Sequence, residues 1–225
     1  MNSARDSIFS AIRRSLKSNA GDAARRQSVE ARLAASRPGI RPARGEGSLE
    51  ERIATFTAQA QSVSATVVRL RSAAEAPGEV SAFLRGHNLP AAIRIGADDR
   101  LTGLDWKFAG LDVSSGPSGG GDLNAVSHAE GGAAETGTLA LVSGAHNPST
   151  LNFLPDNHIV IVRTAAILST YEDILAQIRA RFGKGVLPRT VNLVTGPSRS
   201  ADIEQKLLLG AHGPRRLHIL LVDGD

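Results

Sequence analysis

The chain of 225 residues contains no cysteine, few aromatic residues and no long apolar run. The lack of cysteine excludes disulfides, thiolate metal sites and cysteine-ligated iron–sulfur clusters within the chain, and it fits a cytoplasmic protein. No stretch approaches the roughly 20 apolar residues that cross a bilayer, so we expect no transmembrane segment. Hydrophobic residues make up 41% of the chain, which is enough to bury a core.

The excess of positive charge is confined to the N-terminal quarter. Residues 1–52 hold 11 Lys and Arg against 6 Asp and Glu, whereas the remaining residues hold 15 against 16. With so few aromatic side chains to stack on bases, we expect no nucleic-acid partner. We interpret residues 1–47 as a basic helical arm that ends in a Pro/Gly/Arg linker, and residues 48–225 as one α/β domain. An amphipathic segment that docks a partner protein is another interpretation of the arm.

The apolar pattern alternates between helix and strand periodicities. Helices are predicted over 3–17, 22–35, from Ser48 onward, 76–86, 171–182 and 200–209. Strands are predicted over 64–70, 91–96, 138–144, 158–163, 190–194 and 217–222. Strands with few charges, separated by helices, predict a mainly parallel sheet in a three-layer α/β/α domain. Ligands bind beyond the carboxyl ends of such strands, which selects the loops 96–99, 131–137, 143–148 and 195–200.

The turn after the strand 190–194 is a candidate anion site. Gly196 allows close backbone approach, Ser198 or Ser200 can cap a following helix, and Arg199 can contact a carboxylate or phosphate. A capped helix without any ligand explains the same residues, and both interpretations remain open.

Glu135 and His212 are candidates for chemistry. Glu135 lies among small residues before an apolar strand, where it can act as base, nucleophile or hydroxyl acceptor, or simply cap backbone N–H groups. His212 lies between a helix and the last strand, where it can transfer a proton or bind the last carbonyls of the helix. The other histidines are scattered, so we expect no metal site, and neither a phosphate-binding motif nor a nucleophile elbow is present.

Four motifs together resemble the LUD domain, and more narrowly the lactate utilization protein C family. The motifs are AETGT (134–138), LPDNHI (154–159), GPSRSADIE (196–204) and GAHGP (210–214). The resemblance covers residues 50–225 in order and spacing. Ser200 stands where threonine is common, which keeps the hydroxyl group.

The resemblance implies a fold like that of ribose-5-phosphate isomerase and the CoA transferases. It also implies an accessory role in L-lactate oxidation to pyruvate, beside partner subunits that carry iron–sulfur clusters, and we expect no cofactor bound by this chain itself. Whether the chain performs chemistry stays open. The alternative is a stand-alone enzyme of CoA-transferase or sugar-phosphate-isomerase type that uses Glu135.

The residue chemistry at the strand ends and the family resemblance both predict one site that holds a small carboxylate or phosphate. Glu135 is the candidate catalytic residue. The candidate ligand-binding residues are Thr136, Gly137, Thr138, Asn147, Gly196, Pro197, Ser198, Arg199 and His212.

Overall fold

A computed structural model describes residues 4–17, 22–35, 39–144, 146–200 and 208–224, and the chain divides between Ile40 and Arg41 into two compact units. The first unit holds two helices, α1 (Ala4–Ser15) and α2 (Ala23–Ala35), as predicted. Neither helix buries a residue, and the apolar face of α1 is exposed. Docking of a partner by this arm, and the domain boundary at residue 48, stay predictions. Among the described residues, no helix has the length and apolar character needed to cross a membrane.

The described residues of the second unit form four further α-helices and twelve strands. The helices are α3 (Leu49–Ser62), α4 (Ala76–Gly86), α5 (Asp99–Thr102) and α6 (Tyr171–Phe182). The strands are β1 (Thr66–Leu70), β2 (Ala92–Ile95), β3 (Asp112–Ser115), β4 (Asn124–His128), β5 (Gly131–Ala133), β6 (Thr138–Val142), β7 (Asn157–Arg163), β8 (Ile167–Leu168), β9 (Val191–Val194), β10 (Arg199–Ser200), β11 (Leu208–Leu209) and β12 (Arg216–Val222).

Six strands form a fully parallel sheet in the order β1-β12-β7-β4-β2-β3, which confirms the predicted fold class. One face of this sheet packs on α4 and on Trp106. The other face packs on α3 and on residues of β6. The helices begin where the sequence predicts, because Ser48 with Glu51 and Thr170 with Asp173 form capping boxes at α3 and α6.

A second sheet, in the order β8-β5-β6-β9, was not predicted. The predicted strands 138–144 and 190–194 correspond to β6 and β9, which pair antiparallel in this sheet and do not join the parallel one. β5 and β6 are joined by only four residues, a connection that allows antiparallel pairing only. β6 is buried on both faces, between the parallel sheet and α6, and therefore has the uniformly apolar composition of a parallel strand.

The predicted helix over 200–209 is wrong at its described ends. Arg199–Ser200 and Leu208–Leu209 pair as a short antiparallel ladder, β10 with β11. Residues 201–207, the middle of that predicted helix, lie outside the described residues. Ser198 is therefore followed by a strand residue, Arg199, and does not cap a helix as the sequence predicts.

Three buried histidines make the stability of the fold sensitive to pH. Burial lowers the pKa of His158 to about 3 and the pKa of His128 and of His218 to about 4, from an ordinary value of 6.5. In the unfolded chain these histidines become protonated near pH 6.5, whereas in the folded chain they stay neutral at that pH. Stability is therefore lost as the pH falls from 6.5 toward 4, by about 1.4 kcal/mol per pH unit for each histidine.

Urea unfolding between pH 7 and pH 4.5 checks this expectation. The free energy of unfolding should decrease toward low pH, and the double variant His128→Gln, His218→Gln should show a shallower decrease. A flat profile over this range in the unsubstituted protein would contradict the assignment of neutral, buried histidines.

Candidate functional site

Two glycine turns are held against the last turn of α3. Gly137 and Gly196 adopt φ values of +66° and +75°, which favour glycine. A Cβ atom would lie 2.3 Å from the Ala60 nitrogen at Gly137, and 2.5 Å from the Val63 oxygen at Gly196. The two turns are thus packed side by side, with backbone against backbone.

A hydroxyl cluster links these turns to α6. Thr138 Oγ1 lies 2.7 Å from the hydroxyl oxygens of both Thr136 and Thr195, and 2.8 Å from that of Tyr171. The cluster connects the hairpin between β5 and β6, the end of β9 and the start of α6. Thr136, Gly137 and Thr138 therefore serve packing and hydrogen bonding at this junction.

Glu135 caps the start of α6. Its carboxylate is only 4% exposed, and Oε1 accepts a hydrogen bond of 2.9 Å from the Tyr171 N–H. This N–H is one of the groups that a helix leaves unpaired at its first turn. This geometry agrees with the interpretation of Glu135 as a helix cap, and a catalytic role remains a prediction.

Asn147 is separated from the two turns by the length of β6. Its Nδ2 donates to the Val142 carbonyl at 3.0 Å, at the carboxyl end of β6. Since β9 runs antiparallel to β6, Val142 pairs with the first residue of β9, whereas Thr195 follows the last. The expectation that Asn147 lies beside the turn 196–199 rested on parallel strands and fails for this reason.

The remaining five predicted residues line one cavity of about 300 Å³. We call it the Ser198 cavity. It is lined by Asn152, Phe153, His158, Leu193, Val194, Thr195, Gly196, Pro197, Ser198, Arg199, His212, Gly213, Pro214 and Leu217. Leu217 and His158 are register partners near the amino ends of β12 and β7, so the cavity lies at the amino edge of the parallel sheet. The rule that ligands bind at carboxyl ends pointed to the opposite edge.

Backbone hydrogen bonds hold the two sequence-distant loops of the cavity together. The Ser198 N–H donates to the Pro214 carbonyl at 2.8 Å, and the Gly210 N–H donates to the Ser198 carbonyl at 2.9 Å. Ser198 Oγ also accepts from the His212 N–H at 3.3 Å. The predicted meeting of the Ser198 turn with His212 is thus present.

The charge of the cavity suits an anion. Arg199 contributes a guanidinium whose Nη2 donates to Ser64 Oγ at 3.0 Å, and the side chain is exposed. None of the described lining residues is acidic. Arg199 thus gives the lining a positive charge that no carboxylate among the lining residues balances.

Sequence analysis missed two buried polar side chains of the cavity, His158 and Asn152. Each is 1% exposed. His158 Nε2 lies 3.0 Å from Ser127 Oγ, and this hydroxyl lies 3.4 Å from Asn152 Oδ1. A histidine inside the apolar strand 158–163 is a signal that could have indicated this site, since a buried strand position usually holds an apolar residue.

The carboxyl edge of the parallel sheet holds a second, smaller cavity of about 230 Å³, beside Arg100 and His128. The positive charge of Arg100 is already balanced there by Asp98, at 2.6 Å, and by Glu130, at 3.5 Å. This edge is thus an ion-pair network. The described residues include no cluster of three or more metal-ligating side chains of the His, Asp and Glu types.

The comparisons with known proteins agree with the motifs. Residues 124–222 match the model of the LUD domain family. The match covers 99 of the 225 residues, and this part of the chain is therefore similar to a LUD domain.

The chain is also similar to proteins named lactate utilization protein C. It is 39% identical over 90 residues to the one from Geobacillus sp. (strain WCH70), covering 40% of this chain and 37% of the relative. It is 33% identical over 149 residues to the one from Bacillus licheniformis, and the match covers 58% of this chain and 62% of the relative. The matched regions thus span from just over a third to under two thirds of these relatives.

A solved structure has the same fold. A DUF162 family protein from Deinococcus radiodurans superposes with a TM-score of 0.56 at 24% identity, covering 79% of this chain and 99% of that one. This likeness extends the agreement in fold beyond the residues that the family model matches.

Substitution of Glu135 separates its capping role from a catalytic one. Glu135→Ala should lower the free energy of unfolding by about 1 kcal/mol, because it removes the acceptor for the Tyr171 N–H, whereas Glu135→Gln keeps an acceptor oxygen and should cost less. Urea unfolding measures both. Loss of ligand binding or activity in Glu135→Gln, with stability unchanged, would instead support the catalytic role.

Proposed function

We propose that this protein serves in L-lactate utilization as a non-redox subunit that binds a small carboxylate in the Ser198 cavity. Two findings together carry the proposal. The chain has a cavity whose lining suits a small carboxylate, and its relatives are named lactate utilization protein C. Two of the motifs by which the sequence resembles the lactate utilization protein C family, GPSRSADIE and GAHGP, contain the Ser198 turn and His212, and both segments line the cavity.

The chemistry of the cavity supports a carboxylate ligand. Arg199 brings a cation, Asn152 and His158 bring polar atoms, and the walls of Leu193, Val194 and Leu217 are apolar. A small carboxylate with a short apolar chain matches such a lining, because its charge and its methyl group are recognised separately. The volume of about 300 Å³ is at the small end of ligand cavities.

The absence of cysteine from the sequence supports a division of labour. Oxidation of a hydroxy acid releases two electrons, and iron–sulfur clusters that carry them need thiolate ligands. We therefore propose that partner subunits hold the clusters while this chain binds or delivers the small carboxylate.

Deletion of the gene tests the proposal. The deletion strain should fail to grow on L-lactate and should grow normally on pyruvate, since only the oxidation step is lost. Normal growth on L-lactate would contradict the proposal.

Complementation locates the function in the cavity. A copy with Arg199→Gln should restore growth on L-lactate only partly, because the cation that faces the carboxylate is gone. Arg71→Gln is the matched control, since the Arg71 side chain is 93% exposed and forms an ion pair with Glu75, away from the cavity lining. Equal growth of the two complemented strains would remove Arg199 from the site.

A further inference from the structure

The α1 helix presents an apolar stripe to solvent. Four large apolar residues recur along it at helical spacing: Ile8, Phe9, Ile12 and Leu16. The Leu16 N–H donates to the Ile12 carbonyl at 2.9 Å, so the helical backbone continues as far as Leu16. The four side chains are between 42% and 63% exposed. In the part of the chain that the structure describes, the stripe is therefore left largely open to water.

The helix is short for one that packs on no neighbouring element. α1 has 12 residues and buries none of them. An isolated helix shorter than about 12–15 residues is marginal in water, and most helices in proteins are stabilised by packing of their apolar face. A surface that covers the apolar stripe would supply this missing stabilisation.

The charge of α1 indicates the chemistry of that surface. Residues 4–17 contain four basic residues, Arg5, Arg13, Arg14 and Lys17, and one acidic residue, Asp6. Basic residues in the last turn complement the helix dipole, but Arg5 lies in the first turn, where the dipole disfavours a cation. An anionic surface that faces the helix accounts for the basic residues at both ends.

Two of these cations lie beside the aromatic ring of the stripe. The Cζ atoms of Arg5 and Arg13 are 5.2 and 6.0 Å from the centre of the Phe9 ring. Basic side chains beside an apolar face are typical of helices that lie in a membrane interface, where the stems cover apolar surface and the charged ends reach lipid head groups. A groove in a partner protein would need a carboxylate matched to each guanidinium, whereas an anionic bilayer carries negative charge along its whole surface.

We propose that α1 binds the surface of an anionic lipid bilayer, with the apolar stripe at the boundary of the acyl chains and the basic side chains at the lipid phosphates. The helix lies in the plane of the surface, because 12 residues extend only about 18 Å, against about 30 Å of hydrocarbon core. The attachment is reversible, since one short helix buries little apolar area. It does not depend on the function proposed for the Ser198 cavity.

Vesicle flotation of the full chain tests the proposal. The protein should float with vesicles made of phosphatidylglycerol and phosphatidylcholine in equal parts, and it should remain in solution with vesicles of phosphatidylcholine alone. Raising the salt concentration from about 0.1 M to about 1 M should release it, because salt screens the attraction. Absence of flotation with the anionic vesicles, which would leave a partner protein as the cover of the stripe, would overturn the proposal, as would equal flotation with both kinds of vesicle.

A pair of double variants locates the contact on α1. Ile8→Gln with Ile12→Gln should weaken binding to the anionic vesicles at least about tenfold, because two apolar side chains leave the stripe while glutamine keeps the helix propensity. Val29→Gln with Leu33→Gln is the matched control, since both residues are exposed and belong to α2. The control should bind like the unsubstituted protein. Equal binding by the two double variants would remove α1 from the contact.

A tryptophan in the stripe distinguishes insertion from adsorption by charge alone. The variant Phe9→Trp keeps a large aromatic side chain, and Trp106 is buried already, so a change in emission on adding vesicles reports position 9. Anionic vesicles should shift the emission to the blue, and lipids brominated in their acyl chains should quench it. Floating protein with unchanged emission would show that another segment binds the lipid, and it would contradict the proposal.

Discussion

The close approach of two glycine turns to the last turn of α3 is the constraint on which the site depends. At Gly137 and Gly196 a side chain would occupy the space of the α3 backbone. The approach brings the hairpin of the second sheet and the end of β9 together, and it places the Ser198 turn over the amino ends of β7 and β12. The Ser198 cavity is the space left between this turn and the parallel sheet.

The second sheet decides which predicted residues share a site. Because β6 and β9 are antiparallel, the loops that follow them lie at opposite ends, and Asn147 is separated from the Ser198 turn. Because the hairpin before β6 packs against the start of α6, the carboxylate of Glu135 is used by the Tyr171 N–H. What remains for ligand binding is a cavity with one exposed guanidinium and two buried polar side chains.

The sequence pattern predicted where helices and strands lie better than it predicted which strands pair with each other. The helix at 76–86 and the helix at 171–182 have the predicted bounds, because Pro77 and the Thr170 capping box mark their starts. The strands β3, β4 and β5 were missed inside the Gly-rich section 110–132, where small and polar residues replace the usual apolar run. Asn124 shows why such residues can be buried: its amide donates to two carbonyls of the neighbouring segment, a partnership that no local pattern reveals.

The site was predictable only in part, for a similar reason. The turn at 196–199 and the loop at 212 carry glycine, proline and hydroxyl signatures that are visible locally, and they meet as expected. The contacts of His158 and Asn152 depend on Ser127, a residue of another strand. Such properties arise from packing between distant segments, so neither spacing nor composition contains them.

The central claim is that the Ser198 cavity holds a small carboxylate. A crystal structure of the protein grown with L-lactate tests this most directly. The account predicts the ligand in the cavity, between the Ser198 turn and the loop that contains His212. A cavity filled only by water, or a ligand bound elsewhere on the protein, would contradict it.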